Sequence, residues 1–164
     1  MKTQIFLTVN GVKHELWVRN DRTLLDALHD DIGTPDVRYG CGEGVCGTCT
    51  ILMDDEPVSA CLMYAVQAQE AEITTLAGLT QGEELHPLQQ CFLQCGASQC
   101  GFCTPGMILT ASALSKKNPD ATRDDVRYEL VGNLCRCTGY TKILDAVEEY
   151  LGEVREDVST GGSN

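Results

Sequence analysis

The sequence predicts an α+β protein in two parts, a β-grasp-like unit over residues 1–77 and a four-helix bundle over residues 78–154. Three observations predict this. Alternating apolar residues flank an Asn-Gly pair near the N-terminus. The second half carries helical apolar stripes, each behind a capping residue or a proline. Ten cysteines occur in groups, and the groups fall in both halves.

The first element is a hairpin. Ile5, Leu7 and Val9 alternate, Asn10-Gly11 follows, and Val12, Leu16 and Val18 continue on the other side. Asn-Gly between alternating runs is a strong short-range hairpin signal, because both residues accept positive φ. A helix comes next, with Thr23 or Asp21 as its cap, Leu25, Leu28 and Ile32 on one face, and Gly33 as its stop. Residues 38–49 form a glycine-rich loop. Thr50 to Met53, Pro57 to Cys61 and Ile73 to Leu76 read as short strands, the first two joined by a turn at Asp54-Asp55-Glu56.

The linker falls near Gly78 to Glu84. His86-Pro87 then opens a helix with Leu88, Cys91, Phe92 and Cys95 on one face. Thr104-Pro105 opens a second, with Met107, Ala111 and Leu114 inward. Thr122 to Asp125 resembles a capping box ahead of Val126 and Leu130, and Ile143, Val147, Tyr150 and Leu151 form the last stripe. Four helices of this length suggest a small bundle. The polar segment from Arg155 to Asn164 is expected to be a disordered tail.

The net charge of −12 over 164 residues argues against nucleic acid and anionic membrane as partners. No apolar run reaches the roughly 18 residues of a membrane span. The N-terminus has neither a signal-peptide apolar core nor paired arginines, so a cytoplasmic protein is expected. In a reducing compartment, ten cysteines point to metal ligation rather than to disulfides.

Cys41, Cys46 and Cys49 have the spacing Cys-x4-Cys-x2-Cys, and Cys61 follows eleven residues later. That is the plant-type [2Fe–2S] signature. A dinuclear cluster needs thiolates fanned around two irons, and a short loop supplies three only if it bends sharply. Gly40, Gly42, Gly44 and Gly47 allow the bends, and their N–H groups can point at sulfur. A structural zinc site usually pairs two short knuckles instead. Cys100-x2-Cys103 and Cys135-x-Cys137 form a second set, each pair ahead of an expected helix. Two helix N-termini, each with about half a positive charge, would favour a dianionic cluster there. On ligand type alone, zinc also fits this second set.

Three stretches together resemble the small iron–sulfur subunit of the xanthine dehydrogenase, or molybdenum hydroxylase, family: YGCGEGVCGTCTI (39–51), QCGFCTPGMI (99–108) and GNLCRCTGY (132–140). The resemblance implies a plant-type ferredoxin-like domain and a helical domain with one [2Fe–2S] cluster each. It assigns Cys41, Cys46, Cys49 and Cys61 to the first cluster, and Cys100, Cys103, Cys135 and Cys137 to the second. It also implies a molybdenum–pterin cofactor held by a large partner subunit, with Gln99 and Cys137 near the pterin and Gln99 hydrogen-bonded to it. Electrons would pass from molybdenum to the helical cluster, then to the ferredoxin-like cluster, then to FAD on a medium subunit. The molybdenum and flavin parts are expected on separate polypeptides, in a dimer of heterotrimers.

No catalytic residue is expected on this chain. His14, His29 and His86 are scattered and read as structural or exposed. Cys91 and Cys95 read as core packing, Trp17 as packed on the sheet or a partner, and Glu43 as an exposed charge. The leading function is an electron-transfer subunit. The alternatives are a free-standing two-cluster ferredoxin and a zinc-stabilised interaction module.

Overall fold

The computed structural model describes residues 1–80, 82 and 84–160, with side chains as far as 156. Strands β1 (Lys2–Val9) and β2 (Val12–Arg19) pair antiparallel with Val9 opposite Val12. Asn10 and Gly11 make the two-residue turn with φ of 50° and 79°, the mirror-image turn that suits strand twist. The sheet is completed by β3 (Thr50–Met53), β4 (Glu56–Ser59) and β5 (Glu72–Thr74), in the order β2-β1-β5-β3-β4. Only the β1–β5 pairing is parallel.

One face of this sheet buries Ile5, Leu7, Val9, Ile51 and Ile73 against Leu24, Leu25 and Leu28. These leucines come from α1 (Leu24–Asp26) and from the wider π-helical turns that extend it to Ile32. Thr23, not Asp21, is the cap, its hydroxyl accepting from the Asp26 N–H at 3.0 Å. The strand expected to reach Cys61 stops at Ser59, and Cys61 lies in a 3₁₀ turn. The strand expected to reach Leu76 stops at Thr74, because Thr75 starts the short helix α2 (Leu76–Leu79). Asn10 clasps Thr75 through two hydrogen bonds of 2.9 Å, which ties the hairpin turn to that helix start. Within the expected linker, residues 81 and 83 lie outside the described residues.

The second half contains α3 (Pro87–Gln94), α4 (Thr104–Lys117), α5 (Arg123–Glu129) and α6 (Thr141–Thr160). His86 caps α3, and Thr122 with Asp125 forms the expected capping box on α5. Leu88, Phe92, Met107, Val126, Ile143, Val147 and Leu151 share the second core. The expected tail is corrected at its start: α6 runs through Arg155 to Thr160, and Arg155 bonds the Pro119 and Ala121 carbonyls. Residues 161–164 lie outside the described residues. No described helix is long and apolar enough to cross a membrane.

Helix α4 is buried on every side from Pro105 to Ser115. One side meets the other helices, and the opposite side meets β3. There Leu52 packs with Leu109, Ala113 and Leu79 in a small cluster that joins the two cores. At the end of α4, Lys116 pairs with Asp55 at 2.6 Å and Lys117 pairs with Glu56.

Candidate metal centres

The first cysteine set lies on the loop that leads into β3 and on the turn after β4. Tyr39 holds the start of the loop to the α1 segment, donating to Asp26 at 2.6 Å while His29 meets its ring edge-on. The Cys41 N–H donates to Cys46 Sγ at 3.4 Å, and the Glu43 N–H to Cys41 Sγ at 3.3 Å. The Glu43 N–H and the neighbouring Cys46 lower the Cys41 thiol to about 6. Cys49 is buried and lies beside Cys61; burial first, then Cys61, pushes it up to about 12. The set therefore divides into two pairs, Cys41 with Cys46 and Cys49 with Cys61.

The second set divides in the same way. Cys100 and Cys137 are exposed, with their sulfurs 3.5 Å apart. Cys103 and Cys135 are half-buried neighbours, and burial followed by Cys135 raises the Cys103 thiol to about 12. Burial also acts to raise Cys135, but the Thr138 hydroxyl at 3.1 Å and the Thr138 N–H outweigh it and the thiol is lowered. The Tyr140 hydroxyl accepts from the Cys135 N–H at 2.9 Å and fixes the turn. Cys103 is itself the N-cap of α4, a position expected of Thr104. The second helix start is less direct than expected, because Thr138 to Tyr140 separate Cys137 from α6. Gln99 is exposed beside Cys100, on the edge where Cys137 also reaches the surface.

This pairing tests which metal group the residues fit. Four thiolates on one zinc, with Zn–S bonds of about 2.3 Å, would sit roughly 3.8 Å from one another. Among the described residues, no three cysteine sulfurs lie within 4.8 Å of one another. Two separated pairs suit two irons, each holding two thiolates. Both sets fit a [2Fe–2S] cluster.

The two sets are joined by residues that the sequence reading gave no role. The Leu134 N–H donates to the Cys46 carbonyl at 2.9 Å. Asn133 is buried, donates to the Gly47 carbonyl at 3.1 Å and accepts from the Thr110 hydroxyl at 3.1 Å. Arg38 reaches the Gly101 carbonyl, with its guanidinium 5.7 Å from the Phe102 ring. Gly132 to Leu134 stand in the quoted stretch 132–140, but no spacing rule marks an asparagine as a bridge.

Of the remaining residues, Cys91 packs in the helical core as expected. Cys95 packs against the edge of that core, half-buried, and its thiol also donates to Glu149 at 2.9 Å. Trp17 is exposed on β2.

Residues 7–80 match the family described as 2Fe-2S iron-sulfur cluster binding domain, and residues 75–148 match the [2Fe-2S] binding domain family. The chain is 49% identical over 146 residues to the nicotinate dehydrogenase small FeS subunit of Eubacterium barkeri, covering 89% of this chain and 93% of that one. It belongs to the small iron–sulfur subunits of the molybdenum hydroxylase family. The chain is also 44% identical over 145 residues to subunit beta of the 6-hydroxypseudooxynicotine dehydrogenase complex of Paenarthrobacter nicotinovorans, with 87% and 90% of the two chains covered. The crystal structure of quinoline 2-oxidoreductase from Pseudomonas putida 86 contains a chain that superposes with a TM-score of 0.90 at 44% identity, over 98% of both chains. The α+β fold is therefore shared over nearly the whole chain.

Proposed function

We propose that this chain is the electron-relay subunit of a heteromeric molybdenum hydroxylase. Residues 1–77 would carry the first cluster on Cys41, Cys46, Cys49 and Cys61, and residues 78–154 the second on Cys100, Cys103, Cys135 and Cys137. When bound, a [2Fe–2S] cluster takes up and releases one electron at a time. The observation that carries the reading is the short bridge between the sets. Leu134, which precedes Cys135, bonds the backbone of Cys46. Such a bridge suits electron exchange between the two halves of one chain.

The exposed edge with Gln99, Cys100 and Cys137 is the side that would meet the pterin of a large subunit. The glycine-rich loop of the first set would face FAD on a medium subunit. We place the complex in the cytoplasm, as a dimer of heterotrimers, where ten free cysteines stay reduced and available as ligands. Substrate chemistry would belong to the large subunit.

Isolation from the native host tests this. Two larger chains should co-purify, with about four iron and four sulfide per small subunit and two distinct [2Fe–2S] resonances at low temperature. Recovery as a stable monomer with full carrier activity would favour a free-standing ferredoxin. Zinc without sulfide would overturn both readings.

A further inference from the structure

Eight of the ten cysteines fall into the two sets above, and Cys91 and Cys95 stand apart from them on α3. Spaced i, i+4, they share one face of the helix. That face packs against α6. There Glu149 and Glu153 repeat the same spacing. The Cys91 sulfur and one carboxylate oxygen from each glutamate all lie within 4.8 Å of one another. The Cys95 sulfur lies 2.9 Å from Glu149 Oε2. Three donor groups from two packed helices thus converge on one point, and Cys95 is hydrogen-bonded to one of them.

Packing alone does not explain this arrangement. Two glutamates at i, i+4 repel, and neither has a lysine, arginine or histidine within ion-pair distance among the described residues. The ion pairs nearby use Asp145 and Glu148, both held by Arg123. Cys91 is 1% exposed and its thiol has no hydrogen-bond partner among the described residues, although it faces the two carboxylates. A buried sulfur floor under an exposed carboxylate rim leaves a route for an ion from solvent.

We propose that Cys91, Glu149 and Glu153 bind one divalent ion of the zinc class, with water in the fourth position and Cys95 holding Glu149 from behind, at a site separate from both cluster sets. The donor set selects the ion. Thiolates disfavour magnesium and calcium, which prefer all-oxygen shells, whereas zinc accepts sulfur at about 2.3 Å and carboxylate oxygen at about 2.0–2.2 Å in a tetrahedron. Binding replaces the Cys91 thiol proton, which leaves to solvent as the zinc–sulfur bond forms. The ion would clamp α3 to α6. It would sit just ahead of the Gly96 to Gln99 turn, which leads to Cys100.

The full chain with both clusters in place, equilibrated with zinc chloride and then desalted, tests the site. The expected result is about one zinc per chain, an X-ray absorption shell of sulfur near 2.3 Å, and unchanged iron content. C95S and the double variant E149Q/E153Q change half-buried or exposed side chains and should fold with both cluster signals intact. The double variant removes two of the three ligands and should weaken zinc retention by more than about 100-fold, whereas C95S keeps a hydroxyl donor to Glu149 and should retain zinc. Wild-type protein that retains no zinc overturns the proposal. So does zinc held by E149Q/E153Q as tightly as by wild type, or zinc taken up only as iron is lost.

Discussion

Leu134 donates its backbone N–H to the carbonyl of Cys46 at 2.9 Å, so a residue adjoining one cysteine set is fastened to a member of the other. The contact is backbone to backbone and does not depend on the leucine side chain. It depends on how closely the 132–134 turn can approach the first loop. Asn133 and the glycines around it set that approach.

Asn133→Ala should therefore be costly. It leaves the buried Thr110 hydroxyl without its acceptor, while the Gly47 carbonyl keeps the Thr50 N–H and hydroxyl. One unsatisfied buried group costs about 1–3 kcal/mol, and a loss of that size is expected. That corresponds to a drop in Tm of about 2–12 °C for a chain of this size. Thermal unfolding followed by circular dichroism checks it, and a change under about 1 kcal/mol would remove Asn133 from the bridge.

Gly106→Ala tests the same approach from α4. A methyl group built on Gly106 overlaps the Gly47 carbonyl oxygen and crowds Asn133 Nδ2. Gly47 cannot give way easily, since it sits at φ +64° with its own α-carbon face against Gly132 and Asn133. Overpacking of this kind costs about 1–3 kcal/mol. The spin–spin coupling between the two reduced clusters should also weaken as the halves separate. Coupling unchanged from wild type would show that the loop yields without moving the second set.

The two halves are also held by Leu109 against Leu52 and by the Lys116 and Lys117 ion pairs. These should differ widely in worth. Leu109→Ala removes a fully buried side chain and should cost about 2–5 kcal/mol. The exposed pairs should contribute less than about 1 kcal/mol each, because water and salt screen them. Denaturant midpoints for Leu109→Ala and for the double variant Lys116→Ala/Lys117→Ala check the contrast. A larger effect from the lysines would reverse it.

The sequence revealed most where the chemistry was local. Asn10-Gly11 specifies its own turn, Thr122 and Asp125 their own cap, and Cys41 to Cys49 their own loop. It revealed least where a residue answers to something distant. The apolar stripe on α4 marks one inward face, but the helix is buried all round because β3 covers its other side, and Leu52 is 57 residues from Leu109 in the chain. Cys95 reads as packing until Glu149 arrives beside it from α6. The π-helical turns after Asp26 leave the leucine spacing nearly helical, so the pattern predicts a helix without showing its widened form.

Replacing one cysteine of a set should remove one cluster and spare the other, because the sets share no ligand. Cys61→Ser and Cys103→Ser should each lower iron and sulfide from about four to about two per chain. Each should erase a different resonance. Loss of both resonances in either variant would mean that the two centres assemble as one unit.

Arg38 gives a test of electrostatics rather than of ligation. Its guanidinium bonds the Gly101 carbonyl, in the turn between Cys100 and Cys103. A positive charge there favours the reduced, more negative state of the second cluster. Arg38→Gln removes that charge while keeping a hydrogen-bond donor, so the second cluster should become harder to reduce, by an amount on the order of tens of millivolts at an effective dielectric of about 20. The first cluster should shift less. Arg38→Lys retains the charge and should fall between the two, since it loses the planar fit over Phe102. A redox titration monitored by electron paramagnetic resonance separates the clusters. An upward shift in Arg38→Gln, or equal shifts in both variants, would show that Arg38 acts by shaping the turn and not by its charge.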